Sequence, residues 1–261
     1  MKDMGLIPQL GRHLFERDAY LAGSDDARLE DLLWALESPD IKAVFFARGG
    51  YGSMRIAARL SDKRFPPKLV MGFSDNCAIL FALTKKAAVV HGPHICSPSF
   101  QRPSRLLLSW LRKVLMGAEP PGEFPSKLAV LKPGEAEGLS LVANLSMLVS
   151  SLATPLEPNL AGRVLILEET NEPPYRIDRM LTQLRLSGRL ARVRAIVFGN
   201  MGVPRRSLEC ALQPLLEEFR GPVLWGARVG HIRDNLPFPV GVKTAVTTQP
   251  ARIKISGLAA L

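Results

Sequence analysis

Ser74 lies in Leu69-Val-Met-Gly-Phe-Ser-Asp-Asn-Cys-Ala-Ile-Leu80, where a Gly72-Phe-Ser-Asp75 turn separates two apolar runs. The pattern reads as strand, sharp turn and helix. A serine at the tip of such a turn lifts its hydroxyl clear of the sheet, beside a helix N-terminus that favours developing negative charge. The usual elbow is Gly-x-Ser-x-Gly, and here position 76 is Asn. Ser and Asp also cap helices, so on this stretch alone Ser74 reads equally as a cap or a nucleophile. A serine hydroxyl is a weak nucleophile that needs a base, and the base needs an acid to fix its tautomer. Glu168 and Glu169 follow the apolar run Val164–Leu167, at the carboxyl end of a strand, where open α/β sheets build their sites. Glu169, and Glu172 just beyond, serve equally well as helix caps. Of the four histidines, His13, His91, His94 and His231, the last sits in the polar loop Gly230-His-Ile-Arg-Asp-Asn235. It suits a general base, although a lone histidine is more often a hydrogen-bonded surface residue. The order Ser74, Glu168, His231 is the nucleophile, acid and base order of α/β-hydrolase-like enzymes.

Two further groups have chemistry-bearing spacing. Arg48-Gly-Gly-Tyr-Gly52 could cradle a phosphate on its amides, but it lacks both Gly-x-Gly-x-x-Gly spacing and a Walker lysine. Its better use is to bring a bare backbone N–H beside the Ser74 turn, where with the Asp75 N–H it makes an oxyanion hole. His91, His94 and Cys96 hint at a metal, yet no Cys-x-x-Cys or His-Glu-x-x-His accompanies them. No metal is expected.

The elements that must hold these groups alternate. Capping residues Ser24-Asp25-Asp26 precede an amphipathic helix over 27–37. A buried strand follows at 41–46, a helix at 53–60, the strand into Ser74, a helix at 76–83 and a strand at 87–90. A helix spans 104–116. Residues 117–138, rich in Gly, Pro, Lys and Glu, read as a linker with one strand at 127–131. Helices at 144–152, 176–186 and 207–219 alternate with strands at 162–167, 193–198 and 223–224. The tail, 244–248 and 251–255, alternates like a hairpin. The class is α/β: an N-terminal parallel-sheet domain carrying the serine (1–116), then a smaller C-terminal α/β domain with a β-rich end carrying Glu168 and His231 (139–261). A doubly wound sheet normally opens on a strand, and this chain opens on an ill-defined piece and a helix, so the first strand is expected to be missing.

Composition bounds the class. The chain has 261 residues, 47% of them hydrophobic and 22% charged, an ordinary globular balance with no apolar run of membrane-spanning length. The N-terminus lacks the pattern of a signal peptide. Three scattered cysteines, Cys77, Cys96 and Cys210, argue for a reducing compartment rather than a disulfide framework. The formal charge is +10, but the basic residues are spread without aromatic alternation, as on a solvated surface rather than a nucleic-acid site.

Several stretches together resemble the LD-carboxypeptidases, the muramoyltetrapeptide carboxypeptidase family of serine peptidases. They are Tyr20-Leu-Ala-Gly-Ser-Asp25, Arg48-Gly-Gly-Tyr-Gly-Ser53, Gly72-Phe-Ser-Asp75 and His91-Gly-Pro93, followed by Asn144-Leu-Ser146, Ala153-Thr-Pro155, the run Leu167–Leu181 and Gly230–Pro237. The resemblance implies a Ser74, His231, Glu168 triad between two domains; the oxyanion donors beside it, the backbone N–H groups of Gly50 and Asp75, are read from the glycine loop and the serine turn. It implies cleavage of an L–D amide, release of D-alanine from a murein tetrapeptide in cytoplasmic recycling, a homodimer, and no metal or cofactor. On charge alone, not on the resemblance, Arg48 or Arg233 would hold the substrate's carboxylate; the resemblance puts Asn144 near the substrate. A branch of the family acts instead on microcin C-like peptide-nucleotide conjugates, and a non-catalytic muropeptide binder is the reading from another class. The sequence departs from the family at Val142-Ala143-Asn144, where Gly-Gly-Asn is usual, and at Ala153, where Gly is usual. A side chain at a left-handed position there would strain the loop.

Overall fold

The computed structural model describes residues 5–60, 63–117 and 119–257. Residues 1 and 261, which bound the expected domains, and Ala118 in the expected linker lie outside them. In chain order the first elements are α1 (Asp25–Glu37), β1 (Ala43–Phe45), α2 (Ser53–Ala57), β2 (Leu69–Gly72), α3 (Cys77–Leu83), β3 (Ala88–His91), α4 (Pro98–Gln101) and α5 (Arg105–Met116). There follow β4 (Gly122–Glu123), β5 (Ala129–Lys132), β6 (Glu135–Asn144), α6 (Leu145–Ser151), β7 (Arg163–Glu168), α7 (Pro174–Leu186) and β8 (Ala195–Phe198). The chain closes on α8 (Glu209–Glu218), β9 (Val223–Trp225), β10 (Phe238–Val240), β11 (Lys243–Thr248) and β12 (Ala251–Ile255).

Two sheets result. The first has four strands in the order β1-β2-β3-β10. Its first three are parallel, and β10 joins antiparallel with Phe238 opposite His91. Strand β2 is buried at every residue, so it reads as a continuous apolar run rather than an alternation. Strand β1 is half-buried and lies at the sheet's edge. The second sheet has eight strands in the order β4-β12-β11-β6-β7-β8-β9-β5, with a parallel centre from β6 to β9. The architecture is α/β, as the alternating pattern implies.

The differences from the sequence reading have physical causes. The expected linker contains β4, β5 and the beginning of β6. Strand β6 is exposed on alternate residues up to Leu139, where it pairs antiparallel with β11, and fully buried from Ser140 to Asn144, where it joins the parallel core. Its polar outer half is what resembles a linker. Strand β10 escaped notice because Pro239 supplies no donor, which suits a short strand at a sheet edge.

β10 matters most for the site. The chain leaves the second sheet after β9, passes His231, adds a strand to the first sheet and returns into β11. Ser140 on β6 grips this crossing: its Oγ donates to Pro239 O at 2.7 Å and accepts the Val242 N–H at 3.2 Å. Helix α5 buries Leu107, Trp110, Leu111 and Val114, the spacing of one helical face. Trp110 Nε1–H donates to Pro237 O at 2.7 Å.

Of the positions where the resembled family has glycine, Val142 and Ala143 are buried extended residues of β6 and carry no strain. Ala153 does: just past the end of α6 it has φ 58°, the left-handed cap position where glycine is usual. Its N–H donates to Glu157 Oε2 at 2.7 Å, which helps hold the conformation. Ala153→Gly should stabilise the protein by about 1 kcal/mol, seen as a rise of roughly 2–4 °C in the thermal midpoint.

Candidate active site

β2 runs straight into a 3-10 turn over Ser74–Asn76, and α3 follows. Phe73 is extended, and Ser74 turns to φ 60°. A non-glycine residue in this region costs about 1–2 kcal/mol and persists where the surroundings over-determine it, often at functional sites. Ser74 Oγ lies 3.2 Å from His231 Nε2, and His231 Nδ1 lies 2.7 Å from Glu168 Oε2. Glu168 is the last residue of β7 and is fully buried. A carboxylate oxygen only accepts, so the imidazole proton sits on Nδ1 and the Nε2 lone pair faces the serine. That is the tautomer a general base requires.

Local structure makes the line possible. Gly230 has φ 110°, and a Cβ there would stand 2.7 Å from Glu168 Oε2. Its N–H donates to Asn235 Oδ1 at 3.0 Å. The His231 loop is anchored from both sides: Asn200 Nδ2 donates to His231 O at 3.3 Å, and Ser99 Oγ on α4 donates to Ile232 O at 3.3 Å. The Phe73 ring packs against His231 at 4.7 Å between centroids, with His94 at 4.3 Å and His91 at 5.8 Å.

The Arg48–Gly52 loop lies beside the serine. A Cβ on Gly49 would stand 2.7 Å from His94 Cε1 and 3.3 Å from Ser74 Cβ, so a bare backbone fits there best. Gly50 has φ 112° with open space around it, and its N–H has no acceptor among the described residues. The Asp75 carboxylate accepts the Ser53 N–H at 2.9 Å and so ties this loop to the serine's turn.

The remaining candidates divide. Arg48 and Arg233 are exposed and form no ion pair among the described residues. Asn144 is buried and its amide is spent within the fold: Oδ1 caps α6 at the Met147 N–H (3.1 Å) and Nδ2 donates to Glu169 Oε1 (3.2 Å). Its side chain braces the end of β6. Glu169 is saturated by Asn144, by the Ser146 N–H and hydroxyl, and by the Thr170 N–H. Glu172 pairs with Arg176 on the surface at 3.3 Å. Cys77 is buried, which pushes its thiol pKa up, and it accepts the Asn144 N–H at 3.4 Å. Among the described residues no group of three or more His, Cys, Asp and Glu side chains could hold a metal ion. No helix among them is long and apolar enough to cross a membrane. The sequence reading missed Ser53, Asn76 and Ser99 as parts of the site. The only signal was the Asn at position 76 in place of the elbow's glycine.

Residues 1–92 match the LD-carboxypeptidase N-terminal domain, and residues 137–246 match the LD-carboxypeptidase C-terminal domain. A Bacillus subtilis protein named "Probable murein peptide carboxypeptidase" is 34% identical over 95% of this chain and 82% of its own. A muramoyltetrapeptide carboxypeptidase structure from Oxalobacter formigenes superposes with a TM-score of 0.76 at 27% identity, covering 94% of this chain and 88% of that one. MccF, solved in complex with glutamyl sulfamoyl guanosine, superposes at 0.81 with 20% identity over 96% of this chain and 86% of its own, a likeness of fold.

His91 and His94 are buried, and burial lowers both pKa values from 6.5 to about 4. Both ring nitrogens of His91 lack a hydrogen-bond partner among the described residues. Between pH 6.5 and 4 the unfolded chain therefore binds protons that the folded protein refuses. Stability is full above pH 6.5 and falls as the pH drops towards 4, by up to about 2.7 kcal/mol per pH unit when both titrate. Thermal melts over this range should show the fall, and His91→Leu should remove about half of that slope.

Proposed function

The chain belongs to the LD-carboxypeptidase family, and on that footing we propose that it releases the terminal D-alanine from murein tetrapeptide by hydrolysing the L–D peptide bond. It is a serine-type carboxypeptidase. The observation that carries the reading of its site is the hydrogen-bonded line from Ser74 through His231 to Glu168, with the serine in a left-handed turn.

In the proposed mechanism His231 Nε2 takes the proton of Ser74 Oγ as the oxygen attacks the amide carbonyl. Buried Glu168 keeps Nδ1 protonated and stabilises the imidazolium. The N–H groups of Gly50 and Asp75 receive the developing oxyanion. The imidazolium then gives its proton to the departing D-amino acid nitrogen, and water hydrolyses the acyl-enzyme through the same base. Arg48 or Arg233, both exposed and without an ion pair among the described residues, supplies charge for the substrate's carboxylate.

The proposed division is an N-terminal unit over 1–116, a connecting stretch over 117–138 and a C-terminal unit over 139–261, with β10 lent back to the first sheet. The free thiols of Cys77, Cys96 and Cys210 support a reducing, cytoplasmic setting. The family resemblance supports a homodimer.

Ser74→Ala should fold with an unchanged thermal midpoint and lose about 10⁴-fold or more in kcat for D-alanine release, read by chromatography of the released amino acid. Full retained activity contradicts the nucleophile. Faster cleavage of an aminoacyl-adenylate analogue than of the tetrapeptide moves the substrate to the peptide-nucleotide class.

A further inference from the structure

His94 is a buried histidine that the proposed mechanism does not use, and its contacts converge on the machinery. Its Nε2 lies 3.0 Å from Phe73 O and 2.7 Å from Asn76 Oδ1. Phe73 O is a carbonyl, so Nε2 must carry the proton, and the Asn76 atom facing it must be the amide oxygen. The Asn76 amide nitrogen then points to Ser53 Oγ at 3.2 Å. On the other side the His94 ring lies against the glycine loop: a Cβ on Gly49 would stand 2.7 Å from His94 Cε1.

The chain delivers His94 to this place by an unusual route. After β3 it crosses the end of β2 and bonds to the extension of β1, with Ile95 N–H donating to Phe46 O at 3.2 Å and Cys96 N–H to Ala47 O at 3.0 Å. One imidazole thus touches the loops following β1, β2 and β3. The Phe73 carbonyl is the peptide oxygen immediately before the left-handed serine. It is held by two donors, His94 Nε2–H and the Asn76 N–H at 3.2 Å. Fixing that peptide plane fixes the direction in which Ser74 leaves the strand. Asn76, which breaks the usual elbow pattern, is the residue that passes this constraint on to Ser53 and the glycine loop.

We infer that His94 is a positioning residue that locks the Ser74 turn and the Gly49–Gly50 loop into one geometry, so that nucleophile and oxyanion donors stay aligned. The inference rests on the reading of Ser74 as the nucleophile. Burial holds the imidazole neutral above about pH 4, so it keeps one N–H and one lone pair through the working range. A shift of about 1 Å at a reacting group costs on the order of 10²-fold in rate, which sets the scale of the expected effect.

The test compares wild type, His94→Phe and His94→Gln. Phenylalanine keeps the ring packing and removes the donor, whereas glutamine restores an N–H donor. Three quantities are read: the thermal midpoint, kcat and KM for D-alanine release from the tetrapeptide, and the rate at which a fluorophosphonate acylates Ser74, with the adduct mapped by mass spectrometry. His94→Phe should lose about 10–100-fold in kcat and in acylation rate with KM changed less than about threefold, and His94→Gln should recover most of the loss. Should His94→Phe not fold, His94→Met takes its place as the donor-free variant. A donor-free variant that matches wild type in kcat and acylation overturns the inference, as does His94→Gln performing no better than His94→Phe. An adduct on a residue other than Ser74 in the wild type contradicts the nucleophile reading itself and removes the basis of the inference with it.

Discussion

His231, in the loop between β9 and β10, reaches Ser74, in the turn after β2, across 3.2 Å, and a hydrogen bond of that length tolerates little sliding between the elements that carry the two. The topology answers that constraint. The segment after His231 becomes β10 and is hydrogen-bonded to β3, so the base is chained to the nucleophile's own sheet within a few residues. Ser140 clasps the same segment from β6, and Trp110 clasps it from α5. Glu168 arrives at the end of β7, whose register with β6 sets Asn144 opposite it. Each member of the line is thus fixed by strand pairing rather than by loop packing alone.

The surroundings of the line are apolar and aromatic, and charge is rationed. Glu168 is buried with one oxygen on His231 and the other without a side-chain or backbone partner among the described residues. A buried carboxylate in that condition makes a strong claim on the imidazole proton. Glu169, next in sequence, accepts four hydrogen bonds and braces α6 instead. Two adjacent acids have different roles because strand alternation turns them to different neighbours. His91 and His94 stay neutral around Phe73 and add no competing charge.

Much of this was legible in the sequence. Continuous apolar runs marked β2, β7 and β8, because strands buried on both faces do not alternate. Capping by Ser24 and Ser104 is visible in the structure where the sequence placed the helix starts. Ser74, Glu168 and His231 were singled out as candidates from residue type, local setting and order, with a cap or surface role open for the serine and the histidine, and the structure brings the three within hydrogen-bonding reach. What was hidden depended on partners distant in sequence. β10 is three residues with a proline, and it exists only because β3 offers it an edge. The outer half of β6 has a linker's composition until β11 pairs with it. Asn144 has a binding residue's chemistry, and its structural bonds to the N-terminus of α6 and to Glu169 could not be read from the sequence. Asn76 registered as a defect in the elbow, because its meaning lies in His94 and Ser53, each 18 or more residues away.

If Ser74, His231 and Glu168 act as one unit, the acid works only through the base. The direct measurement is the rate at which a fluorophosphonate acylates Ser74 in wild type, His231→Ala, Glu168→Gln and the double variant. The account predicts that Glu168→Gln slows acylation in the wild-type background and costs nothing further once His231 is gone. Losses that multiply in the double variant would contradict it.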